Sequence, residues 1–196
     1  MSQLKCFSAL LIILILTGCS PRLMVEQDPG AKLPGAGSYA WGAATDHIPG
    51  DQNPRVNNDI IAGKVQFAID RGLARRGYVL TPKADAVWLV HYHAGVEKKT
   101  EVITEPVLPV GPRIICTSFR CDTVYGWGFY GPPEVVTRIV TFHEGTLLID
   151  IHDAKTGKLA WRGTLSDEVN VNKALDQETL QTAIDRLLKS LPAVPQ

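Results

Sequence analysis

The stretch VWLVHYHAGV, residues 87–96, places two imidazoles two positions apart in a run otherwise made of strand-forming residues. Alternate side chains of an extended strand share a face, so His91 and His93 stand on one side with their Cα atoms ~7 Å apart. Two imidazoles at that spacing chelate a metal ion if a third ligand arrives from an adjacent strand. His143, Asp150 and His152 are the candidates for it, and His91, His93 and His152 form the metal set that the pattern points to. The competing reading is that these histidines line the wetter face of a sheet, where imidazole is an ordinary residue. HxH without a fixed third ligand is a weak signal, and no HExxH accompanies it.

Cysteine is the second chemical feature. Cys6 lies in an apolar leader and Cys19 closes it, which leaves Cys116 and Cys121 in CTSFRC. In an oxidising compartment a pair separated by four residues reads as a disulfide closing a small loop, with a chain-entropy contribution of ~2 kcal/mol. Free thiols, an intermolecular bond or a metal site are the alternatives, although the loop offers a metal no further ligand. Just beyond, GWGFYGPP interleaves glycine with Trp127, Phe129 and Tyr130. Exposed, such aromatics dock a partner protein, a glycan or a membrane interface; folded back, they form a lid over the core.

Catalytic templates are missing. No GxSxG elbow, P-loop or dinucleotide fingerprint opening a helix occurs in the chain. Asp150 and Asp153 are three apart on one strand and point to opposite faces, and Asp153 suits the start of a turn. The reading is a non-enzymatic protein with no cofactor.

The elements that must position these residues begin after MSQLKCFSALLIILILTGCS, which has one cation, Lys5, and an apolar run from Phe7 to Leu16. As a helix that run rises only ~15 Å, half of a hydrocarbon core of roughly 30 Å, so it reads as a cleaved signal over residues 1–18. Leu16-Thr17-Gly18-Cys19 resembles a bacterial lipobox, in which Cys19 accepts diacylglycerol. Each buried methylene of a palmitate-type chain contributes about 0.8 kcal/mol, so two or three chains would anchor the protein durably. By analogy with lipoprotein sorting, Ser20 after the cysteine resembles the outer-membrane class, which implies a periplasm-facing protein. Formal net charge is zero, and no basic stripe is present to neutralise nucleic-acid phosphates.

Residues 19–37, rich in proline and glycine, read as a flexible tether with a short strand at Leu23–Glu26, and residues 38–192 as one domain. SYAW is its first strand. From Asn57 to Arg76, Ile61, Val65, Ala68, Ile69 and Leu73 recur at helical spacing, with Asn57 or Asn58 as cap and Gly77 beyond the end. Ala86–Val96 is a strand whose expected partner, Val135–His143, follows an insertion at about 98–134. TLLIDIHD and KLAWRGTL then form a hairpin around AKTG, and Asp176–Leu191 is an amphipathic helix capped by Asp176 and ended by Pro192. That order predicts an α+β two-layer domain, an antiparallel or mixed sheet with two helices packed on one face.

SYAW, LARRGYVLTPKADAVWLVHYH, EGTLLIDIHDAKTGKLAWRG and a closing helix ending in LP together resemble the bacterial lipoproteins grouped as domain of unknown function 4136. The resemblance runs from about Ser38 to Pro192 and implies a lipoprotein with an α+β fold; it brings no reaction or ligand. The insertion with its two cysteines departs from the usual pattern. The function expected is an outer-membrane lipoprotein that binds an envelope protein or polymer, with the Trp127–Tyr130 loop as contact. A periplasmic metal-binding protein using the His91/His93 face is the alternative.

Overall fold

The computed structural model describes residues 22–34, 37–42, 58–107, 111–126 and 134–195. Eight strands and three helices follow one another: β1 (Arg22–Gln27), β2 (Ser38–Trp41), α1 (Asp59–Arg75), β3 (Val79–Leu80), β4 (Trp88–Val107), β5 (Gly111–Cys116), β6 (Cys121–Gly126), β7 (Glu134–Asp153), β8 (Leu159–Glu168), α2 (Val171–Ala174) and α3 (Gln177–Leu188). Six strands form one sheet in the order β1-β8-β7-β4-β2-β3, and β5 and β6 form a separate hairpin. β2 runs parallel to β3 and β4 while the other pairs are antiparallel, so the fold is α+β with a mixed six-stranded sheet.

The helices form where the periodicity placed them. The Asn58 side chain accepts from the Ile61 amide at 3.1 Å, satisfying one of the orphan donors of the first turn of α1. Its apolar positions Ile61, Val65, Ala68, Ile69 and Leu73 are buried, and Gly77, at φ 84°, takes the left-handed conformation past the end that other residues avoid. α3 buries Ile184, Leu187 and Leu188; Asp176 stands at its N-cap without making a side-chain capping bond, contrary to expectation. The single turn of α2, capped by Asn170, has no apolar stripe and gave no sequence signal.

One core gathers these faces. Trp88 and Val90 of β4, Ile149 and Ile151 of β7, and Trp161 and Leu165 of β8 cluster with the apolar positions of α1 and α3. Side chains of this size contribute about 1.5–3 kcal/mol each when fully buried, and this cluster supplies the main favourable energy of the fold. Two polar pairs stand at its margin: Tyr39 donates to Asp70 at 2.6 Å, and Arg75 bridges α1 to Asp185 of α3 at 2.7 Å. Burial, and then the Asp70 carboxylate, push the Tyr39 hydroxyl well above the usual tyrosine range.

Three expectations about the strands are corrected. The partner of Trp88–Val96 is Gly145–Asp153, not Val135–His143. Val135–His143 pairs instead with Lys98–Pro106, because β4 and β7 each continue for 20 residues as one unbroken antiparallel pair. The insertion therefore starts with strand, and only the β5–β6 hairpin and its flanks lie between the long arms. The short strand expected at Leu23–Glu26 forms as β1, but it belongs to the sheet and not to a tether: it is hydrogen-bonded to β8 from Arg22↔Ser166 to Gln27↔Trp161, so the sheet begins at Arg22 rather than Ser38. At the AKTG turn, Asp153 accepts from the backbone and hydroxyl of Thr156, which holds its carboxyl below the usual range. A register shift at Ile151/His152 then sets Leu159 opposite His152.

Candidate functional site

Strand alternation brings the histidine face together as expected, and the register then decides what it can do. His91 lies opposite Asp150, and Asp150 lies opposite Arg162 of β8, so the three side chains form a row across the middle of the sheet. Arg162 donates to both Asp150 oxygens, Nε to Oδ1 and Nη2 to Oδ2, each at 2.7 Å. Among the described residues Asp150 is the buried charged one, 4 % exposed, and this two-pronged contact neutralises it.

His91 stands edge-on to His152, ring centroids 4.9 Å apart. One ring nitrogen of His152, Nδ1, lies 3.1 Å from the Gly157 carbonyl; a carbonyl only accepts, so Nδ1 carries the proton. His152 Nε2 is 3.9 Å from Asp150 Oδ2, and His93 lies one same-face step further along, opposite Leu148. Burial first, and then the neighbouring His152, lower the His91 pKa below 6.5, while Asp150 opposes the shift. Among the described residues no group of three His, Cys, Asp or Glu could hold a metal ion, so His91, His93 and His152 do not assemble as the expected ligand set. The carboxylate that would complete a site is already held by Arg162. A hairpin continued from the turn, with Leu159 opposite His152, would set Asp150 opposite Trp161; the one-residue shift at Ile151/His152 is what brings Arg162 to it, and the sequence carries no signal for that shift.

The second region is the far half of the β4–β7 pair. Glu144 of β7 still pairs with Glu168 of β8; beyond it, and beyond Glu97 opposite it on β4, neither strand has another strand partner among the described residues, and the two continue as an isolated ribbon. The β5–β6 hairpin folds back along one face of this arm. Cys116 and Cys121 are joined as a disulfide at its tip, as their spacing suggested, with Cα atoms 3.9 Å apart. The cross-linked turn presents Phe119, 7 % exposed, to Phe142 at 5.7 Å, and the Arg22 guanidinium covers the Phe119 ring at 5.5 Å. Ser118 bonds Glu101 of the arm, and Arg120 reaches Glu168 of β8 at 3.2 Å. Between this tip and the start of α2 lies an open groove of about 690 Å³ lined by Arg120, Phe142, His143, Glu168 and Asn170, mostly polar.

A smaller, mostly apolar cavity of about 160 Å³, lined by Ile61, Val65, Leu147, Leu165 and Leu180 with Asp167 and Thr179 at its wall, lies where the helices meet the sheet. Cys19 and the aromatic trio Trp127, Phe129 and Tyr130 lie outside the described residues. No described helix is long and apolar enough to cross a membrane.

A mixed six-stranded sheet with a long two-stranded arm and three helices defines the described residues as an α+β domain. The model of Domain of unknown function (DUF4136) matches residues 24–193, and the chain belongs to that family. No curated protein matches it. Among solved structures, a DUF4136 family protein from Bacteroides thetaiotaomicron is 12% identical with a TM-score of 0.47, covering 86% of this chain and 94% of that one. A PelC dodecamer subunit from Paraburkholderia phytofirmans is 12% identical with a TM-score of 0.46, covering 89% of this chain and all of that one. A PDZ domain protein from Parabacteroides distasonis is 13% identical with a TM-score of 0.47; all of this chain is covered, but only 41% of that protein's length.

Proposed function

We propose that the protein is a lipid-anchored, non-enzymatic module of the bacterial cell envelope, attached through Cys19 to the outer membrane and facing the periplasm. In this reading α1 and α3 form one layer over the Trp88–Val90 face of the sheet and leave the His91 face wetter. A protein or polymer of the envelope is its partner. The observation that carries the reading is the closeness of Cys19 to the sheet: only Ser20 and Pro21 separate the lipobox cysteine from Arg22, the first residue of β1. Three residue steps span ~10 Å at most, so a lipid on Cys19 mounts the domain almost directly on a bilayer. The Cys116–Cys121 pair fits an oxidising compartment.

Intact mass of the mature chain extracted from its native host's membranes tests this. An acylated N-terminal Cys19, with the protein in the outer-membrane fraction and a Cys19→Ala form left unprocessed, is the expected result. A mature mass without acyl chains, or a freely soluble periplasmic protein, would overturn the anchor. A second reading, periplasmic metal binding, is favoured only by the 4.9 Å approach of His91 and His152. Zinc retained stoichiometrically through dialysis by the wild type and lost in His91→Ala would establish it.

A further inference from the structure

The arm formed by the distal halves of β4 and β7 has two unlike faces. On one, Phe142 is buried by Phe119, and Glu101 bonds Ser118, so the β5–β6 hairpin covers it. The other has no cover among the described residues. Val102 is 65 % exposed, Ile139 opposite it 72 % and Val135 66 %, with Thr104 and Thr137 paired between them at 3.3 Å. From Lys98 to Thr104 and from Thr137 to His143 this face holds threonines, Val102, Ile139, Lys98 and His143, and no carboxylate. Glu97, Glu101 and Glu144 fall on the covered side.

Register fixes where the arm lies relative to the anchor. Arg22 is opposite Ser166, Ser166 opposite Thr146 and Thr146 opposite Gly95, so the start of β1 lies in a row two residues before Glu97 and Glu144, where the arm leaves the sheet. From that row β4 runs twelve residues to Val107, ~40 Å at strand rise. The link back to Cys19 spans ~10 Å at most. With the strands upright on the membrane, the arm would therefore run through most of a hydrocarbon core of about 30 Å. A two-stranded ribbon with unpaired backbone along both edges cannot enter that medium, since each unsatisfied group costs several kcal/mol there. The sheet must incline until the arm lies along the surface.

We propose that the arm is a membrane-surface contact, with Val102, Val135 and Ile139 seated at the boundary of headgroups and acyl chains in the bilayer that carries the Cys19 lipid. This rests on the lipid-anchor reading and deepens it. An apolar face framed by threonine, with Lys98 at its root and no acidic group, suits an interface containing anionic lipid. The covered face, held by the disulfide-closed tip, keeps the ribbon rigid.

The test uses the full mature lipoprotein in vesicles of phosphatidylethanolamine and phosphatidylglycerol, with an environment-sensitive bimane on Ile139→Cys, and on Val102→Cys should the first variant misfold. A control label sits on Val79→Cys, exposed at the opposite edge and end of the sheet. Lipids brominated along the acyl chain should quench the arm label at least about twofold and leave the Val79 label unchanged. Equal quenching at both positions, or none at 139 in a chain whose mass shows an acylated Cys19, would refute the arm contact and leave the anchor standing. A chain without acylation would remove the anchor and this inference with it. An arm label shielded from iodide before any lipid is added would assign the face to a second copy instead and overturn the proposal.

Discussion

Two glycines on one helix should respond to the same substitution in opposite ways. Gly63 and Gly72 both lie within α1, where glycine costs about 1 kcal/mol relative to alanine. A Cβ at Gly63 meets nothing within 4 Å. A Cβ at Gly72 falls 2.7 Å from Leu188 Cδ1 and 3.3 Å from Ile184 Cγ2, against residues of α3 that are at most 1 % exposed. Gly63→Ala therefore gains the propensity alone, about 0.5–1 kcal/mol, which raises the midpoint of thermal unfolding by about 1–4 °C for a domain of this size. Gly72→Ala gains the same and loses about 1–3 kcal/mol to overpacking, a net destabilisation of about 0–2 kcal/mol. Urea unfolding followed by far-UV circular dichroism measures both. A double-mutant cycle with Leu188→Ala isolates the contact: in that background the alanine at 72 should recover at least about 1 kcal/mol. Equal effects at 63 and 72, or no coupling to Leu188, would show that α1 and α3 do not approach at Gly72, and the account of the helix layer would fall.

Three further outcomes follow from the sheet. Asp150→Ala strips the buried partner from Arg162, whose side chain is 39% exposed and can turn to water, so the loss should be about 1–3 kcal/mol in urea unfolding, and Asp150→Leu with Arg162→Met should recover most of it. His91 has a folded-state pKa below its unfolded value, so the unfolded chain binds the proton more tightly; stability is fully present above pH 6.5 and falls as the pH drops through that value towards the lowered folded pKa. Thermal midpoints between pH 7.5 and 5 should show that decline, reduced in His91→Gln; an unchanged slope would refute the assignment. Cys116→Ser with Cys121→Ser removes a short-loop constraint of ~2 kcal/mol, and amide exchange should rise across Gly111–Gly126 far more than in β7 and β8.

Local rules carried the reading as far as local rules reach. The faces of β4 were legible because alternation is a property of one strand, and Trp88 and Val90 are buried as their parity requires. α1 was legible because five apolar residues and an asparagine cap agree within one segment. Register across the sheet was not, since Val135–His143 and Gly145–Asp153 are equally strand-like and either could pair with Trp88–Val96. Only the unbroken length of β7 decides between them. The partner of Asp150 was hidden for the same reason: the guanidinium that occupies it comes from a third strand, one residue out of the register that the turn sets. The disulfide, by contrast, depends on two cysteines five apart in sequence, and spacing alone located it.

The two ends of the long strands are stabilised by different means, and that difference separates their roles. Near Trp88 and Ile151 the sheet carries the apolar core, and a change there acts on folding before anything else. Past Gly95 and Gly145 the same two strands leave that core, and an isolated ribbon is marginal in water. The packing of Phe119 on Phe142, the Arg22 cover and the Cys116–Cys121 bond replace the missing core on one face only. If rigidity were the whole requirement, the other face would be expected to carry charge, as exposed β surfaces do to prevent association. Its Val102 and Ile139, directly opposite one another, run against that rule, and a membrane surface over them would remove the cost of their exposure. Replacing both with lysine should therefore leave the urea midpoint of the lipoprotein in detergent within about 0.5 kcal/mol, because surface substitutions rarely exceed that. A large loss of stability in detergent would mean instead that the two residues pack within the fold itself.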